Sequence, residues 1–209
     1  MCIECLRQTV RNQYSFRPGG GFEHAMARVA TDVHPARPPM AIPQMDWLTM
    51  TDTTQAGPTL RAWIRAHRSA FGRWLFARTV CKRAPYFATI KPRFLDLQPK
   101  LCRVTMRKRR AVENHIHTVH ALAMGNLCEL AAGLCTEVTI PVGMRWIPRG
   151  MTIEYLGKAE TDIVATARLD KTEWAGAENI GVPVTVTDAH GKEVVRAVIS
   201  MYVSPKKES

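Results

Sequence analysis

Residues 118–138 form the longest apolar helical pattern in the chain: Thr118-Val119-His120-Ala121-Leu122-Ala123-Met124-Gly125-Asn126-Leu127-Cys128-Glu129-Leu130-Ala131-Ala132-Gly133-Leu134-Cys135-Thr136-Glu137-Val138. The pattern stops before Pro141, which cannot continue a helix. A helix that is apolar on nearly every face has to be covered on every face. Most segments around it read as strands, so the cover must be a sheet curled around the helix. Within this apolar stretch Glu129 is a carboxylate amid Leu127, Cys128, Leu130 and Ala131. Burying such a group without a partner or a task is costly.

The flanking segments supply the strands. Leu101 to Arg107 alternates with period two, as do Thr161 to Leu169, Val182 to Thr187 and Val194 to Val203. Asp188-Ala189-His190-Gly191 joins the last two as a hairpin. Arg145 to Leu156 is extended with a kink at Pro148-Arg149-Gly150, and Pro85 to Leu97 is an extended run punctuated by prolines. Upstream, Leu60, Trp63, Ile64, Phe71, Trp74 and Leu75 recur at helical steps after Pro58, which predicts one amphipathic helix over 59–80 with its apolar stripe packed on the sheet. Residues 1–57 show no sustained periodicity and read as a disordered leader. Met40, Met45 and Met50 could each be the true start. The expected organisation is a leader (1–57), an amphipathic helix (58–84), one α+β domain (85–205) and a short tail (206–209).

Charge is uneven. The chain carries a net +11, yet residues 58–110 hold fifteen Lys/Arg against the single acid Asp96, whereas residues 111–209 hold nine Lys/Arg against twelve Asp/Glu. A basic stretch favours anionic partners: nucleic acid, a lipid surface or the phosphates of a cofactor tail. No nucleic-acid-binding motif accompanies it, so no nucleic-acid partner is expected. A basic helix with tryptophans can lie on a membrane surface, but packing is the favoured reading. No stretch approaches the length of a membrane span, and no secretory apolar segment opens the chain. Six scattered cysteines suit a reducing cytoplasm better than a disulfide framework, and Cys2-x-x-Cys5 has no second pair at zinc spacing. His115, His117 and His120 lack a carboxylate at a familiar zinc spacing, so no metal is expected.

The segment before the helix, Asn114-His115-Ile116-His117-Thr118-Val119-His120, puts hydrogen-bonding groups at its mouth. Thr118 is a plausible cap. A helix N-terminus offers free N–H groups and a positive dipole end, so the amide of Ala121 or Leu122 could polarise a carbonyl. Glu129 could activate water or attack directly, or else simply cap or pair with an arginine.

The layout and this loop resemble the hotdog fold, specifically thioesterases of the phenylacetate-pathway type. Their hallmark is Asn, six residues on a His-Gly pair, and an acid nine residues after the His. Asn114, His120 and Glu129 match it in type and spacing, over a unit running from Pro85 to Pro205. Three positions depart from the pattern: Ala121 and His117 stand where the family usually has Gly, and Glu129 where it usually has Asp. The resemblance implies an antiparallel sheet wrapped around one central helix. It also implies acyl-CoA thioester hydrolysis, with Asn114, His120, Ala121 and Glu129 as the catalytic set. Its runner-up is a non-catalytic acyl-CoA or lipid binder on the same fold. Coenzyme A would be part of the substrate rather than a cofactor, its phosphates held by Lys108, Arg109 and Arg110. Ala121 and Glu129 lie roughly 12 Å apart along one helix at 1.5 Å per residue, too far to share a carbonyl. The chemistry therefore needs a second subunit whose helix runs antiparallel: a homodimer with two sites across its interface, which could pair again into a dimer of dimers.

Overall fold

In the computed structural model, the residues described are 56–206; the expected leader, apart from Ala56 and Gly57, lies outside them. In chain order they form α1 (Pro58–Ala66), α2 (Ala70–Arg83), a 3-10 helix (Pro85–Ile90), β1 (Arg93–Gln98), β2 (Leu101–Met106), a 3-10 turn (Arg110–Val112), α3 (Ala121–Thr139), β3 (Met144–Tyr155), β4 (Ile163–Arg168), β5 (Glu178–Asp188) and β6 (Glu193–Pro205). The six strands make one antiparallel sheet in the order β1-β2-β4-β5-β6-β3. Helix α3 touches all six strands. This is the hotdog arrangement, and it follows from the apolar perimeter of α3.

The period-two residues do face inward. Ile163, Ala165 and Ala167 of β4, Val182, Val184 and Val186 of β5, and Val195, Ala197, Ile199, Met201 and Val203 of β6 are buried against α3 and its neighbours. The hairpin turn falls at Asp188–Gly191, where the Asp188 carboxylate accepts from His190 N and Lys192 N (both 2.9 Å). The kink in β3 is a bulge between Pro148 and Gly150 in its register with β6. Proline is tolerated there because β3 is an edge strand.

Two expectations fail. Phe87 and Thr89 belong to a 3-10 helix rather than a strand. The single amphipathic helix is two helices. The Ser69 hydroxyl accepts from Gly72 N at 2.9 Å and so starts a new helix. The corner is tight: a Cβ at Gly72 would lie 2.2 Å from the Ala66 carbonyl oxygen. The break changes which side faces the core. Leu60 and Trp63 of α1 stay buried, and Trp63 meets Phe76 of α2 and Phe94 of β1 edge-on at 5.2 and 6.2 Å. The inner face of α2 is therefore Phe76 and Ala77. Phe71, Trp74 and Leu75, read from the sequence as part of the packing stripe, point outward at 69%, 52% and 49% exposure.

Candidate active site at the start of the central helix

The loop before α3 is organised by Asn114. Its carboxamide oxygen accepts from Ile116 N and Thr118 N (both 3.1 Å), and its nitrogen donates to the Thr118 hydroxyl at 2.8 Å. Backbone bonds from Asn114 N to Thr118 O (2.9 Å) and from His117 N to Asn114 O (3.2 Å) close the same turn. His117 sits at its tip with φ 61°, exposed, its Nδ1 3.9 Å from a Glu113 carboxylate oxygen. That left-handed backbone accounts for the glycine usual at this place in the resembling enzymes. His115 and Ile116 are exposed beside it.

Thr118 is buried inside the loop and does not cap the helix. The cap is His120, whose Nδ1 accepts from Leu122 N at 3.1 Å. With Nδ1 accepting, the neutral ring carries its proton on Nε2, so the nitrogen that could accept a proton is already occupied by the helix. His120 N in turn donates to Val112 O at 2.8 Å, and Val119 N to Ala159 O at 2.9 Å, which ties the helix entrance to two neighbouring loops.

An α-helix begins with four N–H groups that lack intrahelical partners. Here Leu122 N is held by the His120 ring, while Ala123 N and Met124 N both donate to His120 O (3.0 and 3.1 Å). Among the described residues Ala121 N has no acceptor. One amide is thus left free at the positive end of a 19-residue helix. On the other side of Ala121 its carbonyl accepts from the Tyr155 hydroxyl at 3.2 Å.

Glu129 lies two turns further along. At 100° per residue Ala121, Gly125, Glu129 and Gly133 form one stripe. The stripe faces β3: a Cβ at Gly125 would lie 3.2 Å from Ile153 Cδ1, and one at Gly133 would lie 2.7 Å from the Trp146 ring. Trp146 is pinned there, donating through Nε1 to Glu137 at 2.8 Å, and Glu137 also accepts from the Thr59 hydroxyl at 3.1 Å. Glu129 falls between the two glycines on this stripe. It is half-buried and has no hydrogen bond or ion pair among the described residues. The reading of it as half of a structural ion pair therefore finds no support here.

Its neighbour one turn back, Asn126, escaped the sequence reading because it sits in an apolar run. It is 7% exposed; its nitrogen donates to the Thr89 hydroxyl at 3.3 Å, and its buried oxygen has no partner. The signal available in the sequence was a carboxamide three residues before the acid, on a helix otherwise built of small and apolar side chains. Cys128 is fully buried, and burial pushes its thiol up to about 12, away from the thiolate that a nucleophile needs.

The three expected phosphate-binding residues divide. Lys108 pairs with Glu113 at 3.2 Å and its N–H binds Asp162 at 2.8 Å. The Arg109 guanidinium donates to the Thr89 carbonyl, and its Nε is buried without a partner. Arg110 is exposed. Lys108 and Arg109 line an open cavity of about 760 Å³ with Arg78, Lys91, Arg93 and Arg107, and no acid lines it. Thr89 connects this cavity to α3, since it binds Arg109 through its carbonyl and Asn126 through its hydroxyl. A second cavity of about 610 Å³, between the α1–α2 hairpin and the far part of α3, is lined mainly by apolar groups including Leu75, Phe76, Val80, Leu134 and Trp146. Among the described residues no three His, Cys, Asp or Glu side chains cluster as metal ligands, and no helix is long and apolar enough to cross a membrane.

Comparison with known proteins agrees with this architecture. A structural-genomics crystal structure is 44% identical to the chain, with TM-score 0.63, over 71% of this chain and 98% of that one. A Pseudomonas aeruginosa protein described as a probable thioesterase is 23% identical, with TM-score 0.56, over 62% and 94%. A thioesterase family protein from Silicibacter pomeroyi is 18% identical, with TM-score 0.54, over 62% and 96%. No curated protein matches the chain. These neighbours share the hotdog fold described above. The family described as a domain of unknown function (DUF4442) matches residues 72–203, which spans α2 and everything after it as far as β6, and the chain belongs to that family.

Proposed function

We propose that the protein hydrolyses acyl-CoA thioesters at two equivalent sites across a homodimer interface. The observation that carries this reading is the Ala121 amide, left without an acceptor while its three successors are all satisfied. An N–H aimed outward from a helix N-terminus stabilises a carbonyl oxygen as it becomes an oxyanion. Glu129 of the opposite subunit takes a proton from water as the water oxygen bonds to the carbonyl carbon. The tetrahedral intermediate then expels the coenzyme A sulfur, which leaves with that proton, and the acid product departs. Attack by the carboxylate itself, with an anhydride later opened by water, gives the same products.

Three further features support the dimer and its substrate. Strand β3 is a twelve-residue edge strand with Ile147, Met151 and Tyr155 exposed at 57%, 44% and 47%, an edge suited to pairing with a second copy. Pairing two β3 edges about a twofold axis sets the two α3 helices side by side and antiparallel. The cation-lined cavity fits the phosphates of coenzyme A, and the Thr89–Asn126 link leads from it toward the Glu129 stripe. The apolar cavity beside Trp146 offers room for an acyl chain. The free thiols of Cys81, Cys102, Cys128 and Cys135 fit a cytoplasmic setting.

The test is hydrolysis of short, long and aromatic acyl-CoAs by the full chain and two variants. Glu129→Gln should lower kcat by about 10²–10⁴, the usual contribution of a positioned base. Ala121→Pro deletes the N–H with little cost to the helix, because proline is at home at the first helical position and His120 already has the extended backbone (ψ 139°) that a following proline demands. It should cost about 10²-fold, as loss of one oxyanion donor does. Hydrolysis by Glu129→Gln at the wild-type rate would overturn the mechanism.

A further inference from the structure

Helix α2 presents to solvent a ridge that the fold does not use. Phe71, Trp74 and Leu75 stand on it at 69%, 52% and 49% exposure, spaced three and four residues apart so that they share one face. Phe71 and Trp74 stack at 5.6 Å between ring centroids, and the Arg78 guanidinium lies over the Trp74 ring at 5.0 Å. The ridge continues into Arg78 and Lys82, both exposed. Arg61, Arg65, Arg68, Arg73 and Arg83 are exposed on or beside the same two helices, and no carboxylate occurs between residues 58 and 95, although Glu137 shares the apolar cavity with Leu75. Trp74 and Arg78 also form one wall of the cation-lined cavity, so the positive surface extends behind the ridge to Lys91 and Arg93, with Arg107 beyond them 3.9 Å from Asp162.

An apolar ridge ringed by cations invites an occupant that is apolar in the middle and negative around it. A second copy of this face does not qualify, since it would bring the same cations against themselves. The interfacial zone of an anionic bilayer does: aromatic rings settle at headgroup depth while arginines meet the phosphates. We infer that α2 docks the protein on anionic phospholipid bilayers, with Phe71, Trp74 and Leu75 inserted and the surrounding arginines on the headgroup phosphates. Leu75 also lines the apolar cavity between the hairpin and α3, so docking would set the mouth of that cavity at the membrane surface. The inference concerns binding and needs no hydrolysis, although Leu75, Trp74 and Arg78 also line the two cavities assigned above to the acyl chain and coenzyme A.

The experiment is flotation of the full chain with vesicles of phosphatidylcholine alone or mixed with phosphatidylglycerol, at low and high salt. Wild type should float with the anionic vesicles, not with phosphatidylcholine, and should be released by salt. The variant Phe71→Ser/Trp74→Ser/Leu75→Ser alters only exposed positions and should melt as wild type does. It should bind at least about tenfold more weakly, as loss of the inserted side chains requires. Val198→Ser, which removes an apolar residue of 42% exposure on β6, should bind as wild type. Quenching of tryptophan emission by brominated phosphatidylglycerol, reduced in Trp74→Phe, reads insertion directly even if the triple variant folds poorly. The inference is overturned by equal flotation with neutral vesicles, by no flotation, or by unchanged binding of the triple variant. Release by millimolar inorganic phosphate at constant ionic strength would reduce the site to a phosphate pocket. Stronger binding of single-stranded RNA than of vesicles would reassign the face to nucleic acid, and a smaller lipid-free oligomer in the triple variant would reassign it to self-association.

Discussion

His120 is placed as a cap, and its substitution separates capping from acid–base work. His120→Asn keeps a side-chain acceptor at the N-cap, whereas His120→Ala leaves Leu122 N unsatisfied. Alanine should lower stability by about 1 kcal/mol, asparagine by much less, since asparagine is among the best N-caps. If the ring only organises the loop, asparagine should also retain most of the hydrolytic rate, measured beside thermal melts of both variants. Asp96 gives a second handle. Burial raises its carboxyl above the usual carboxylate range, against an opposing pull from Arg103. A raised acid pKa means the folded state disfavours the charged form. The penalty is therefore absent below the unfolded-state pKa, grows in as pH rises, and is complete above the folded-state pKa. Asp96→Asn should raise Tm at pH 7 and lose that advantage as the pH is lowered through the carboxylate range, which a melting series checks.

Among elements, α3 and β3 meet with no room for a side chain at Gly133. Gly133 lies where a methyl group would meet the Trp146 ring at 2.7 Å, and that ring is held by Glu137. Gly133→Ala should destabilise the fold by about 1–3 kcal/mol, the cost of overpacking a filled site, despite alanine's better helix propensity. Chemical denaturation of the two forms reads this directly. The same elements show what could be read in advance. The strands β2, β4, β5 and β6 and the helix α3 were legible because alternation and an unbroken apolar run are local properties. The break between α1 and α2 was not, since Trp63 through Trp74 keeps helical spacing and the corner is decided by one serine hydroxyl and the room left by Gly72. The spacing of Asn114, His120 and Glu129 marked the site. Which amide stays free, and that Asn126 flanks the acid, depended on hydrogen bonds to His120 and Thr89 that no spacing encodes.

For the whole molecule, the proposed chemistry depends on two copies. Ala121→Pro and Glu129→Ala each disable both sites of their own homodimer. A mixed dimer retains one intact pair, Ala121 from one subunit and Glu129 from the other. Mixing the two inactive variants under conditions that allow subunit exchange should therefore restore up to about one quarter of wild-type activity for random re-pairing of subunits with two sites per dimer. Steady-state rates before and after exchange measure it. No recovery, with mixed dimers demonstrated by mass, would place both groups in one subunit or remove one from the reaction.

The glycines flanking the acid have a bearing on how such a site can change. Because Gly125 and Gly133 present no side chains, the edge strand rests almost on the backbone of the central helix, with Ile153 and Trp146 as its points of contact. The spacing between helix and edge is thus set by the side chains of Ile153 and Trp146 lying against bare helix backbone. A methyl at Gly133 would have to displace the Trp146 ring, whereas one at Gly125 would ask only a few tenths of an ångström from the end of the Ile153 side chain. The smallest of substitutions at Gly133 should therefore disturb the edge along which the proposed dimer would form, while the same change at Gly125 should be tolerated.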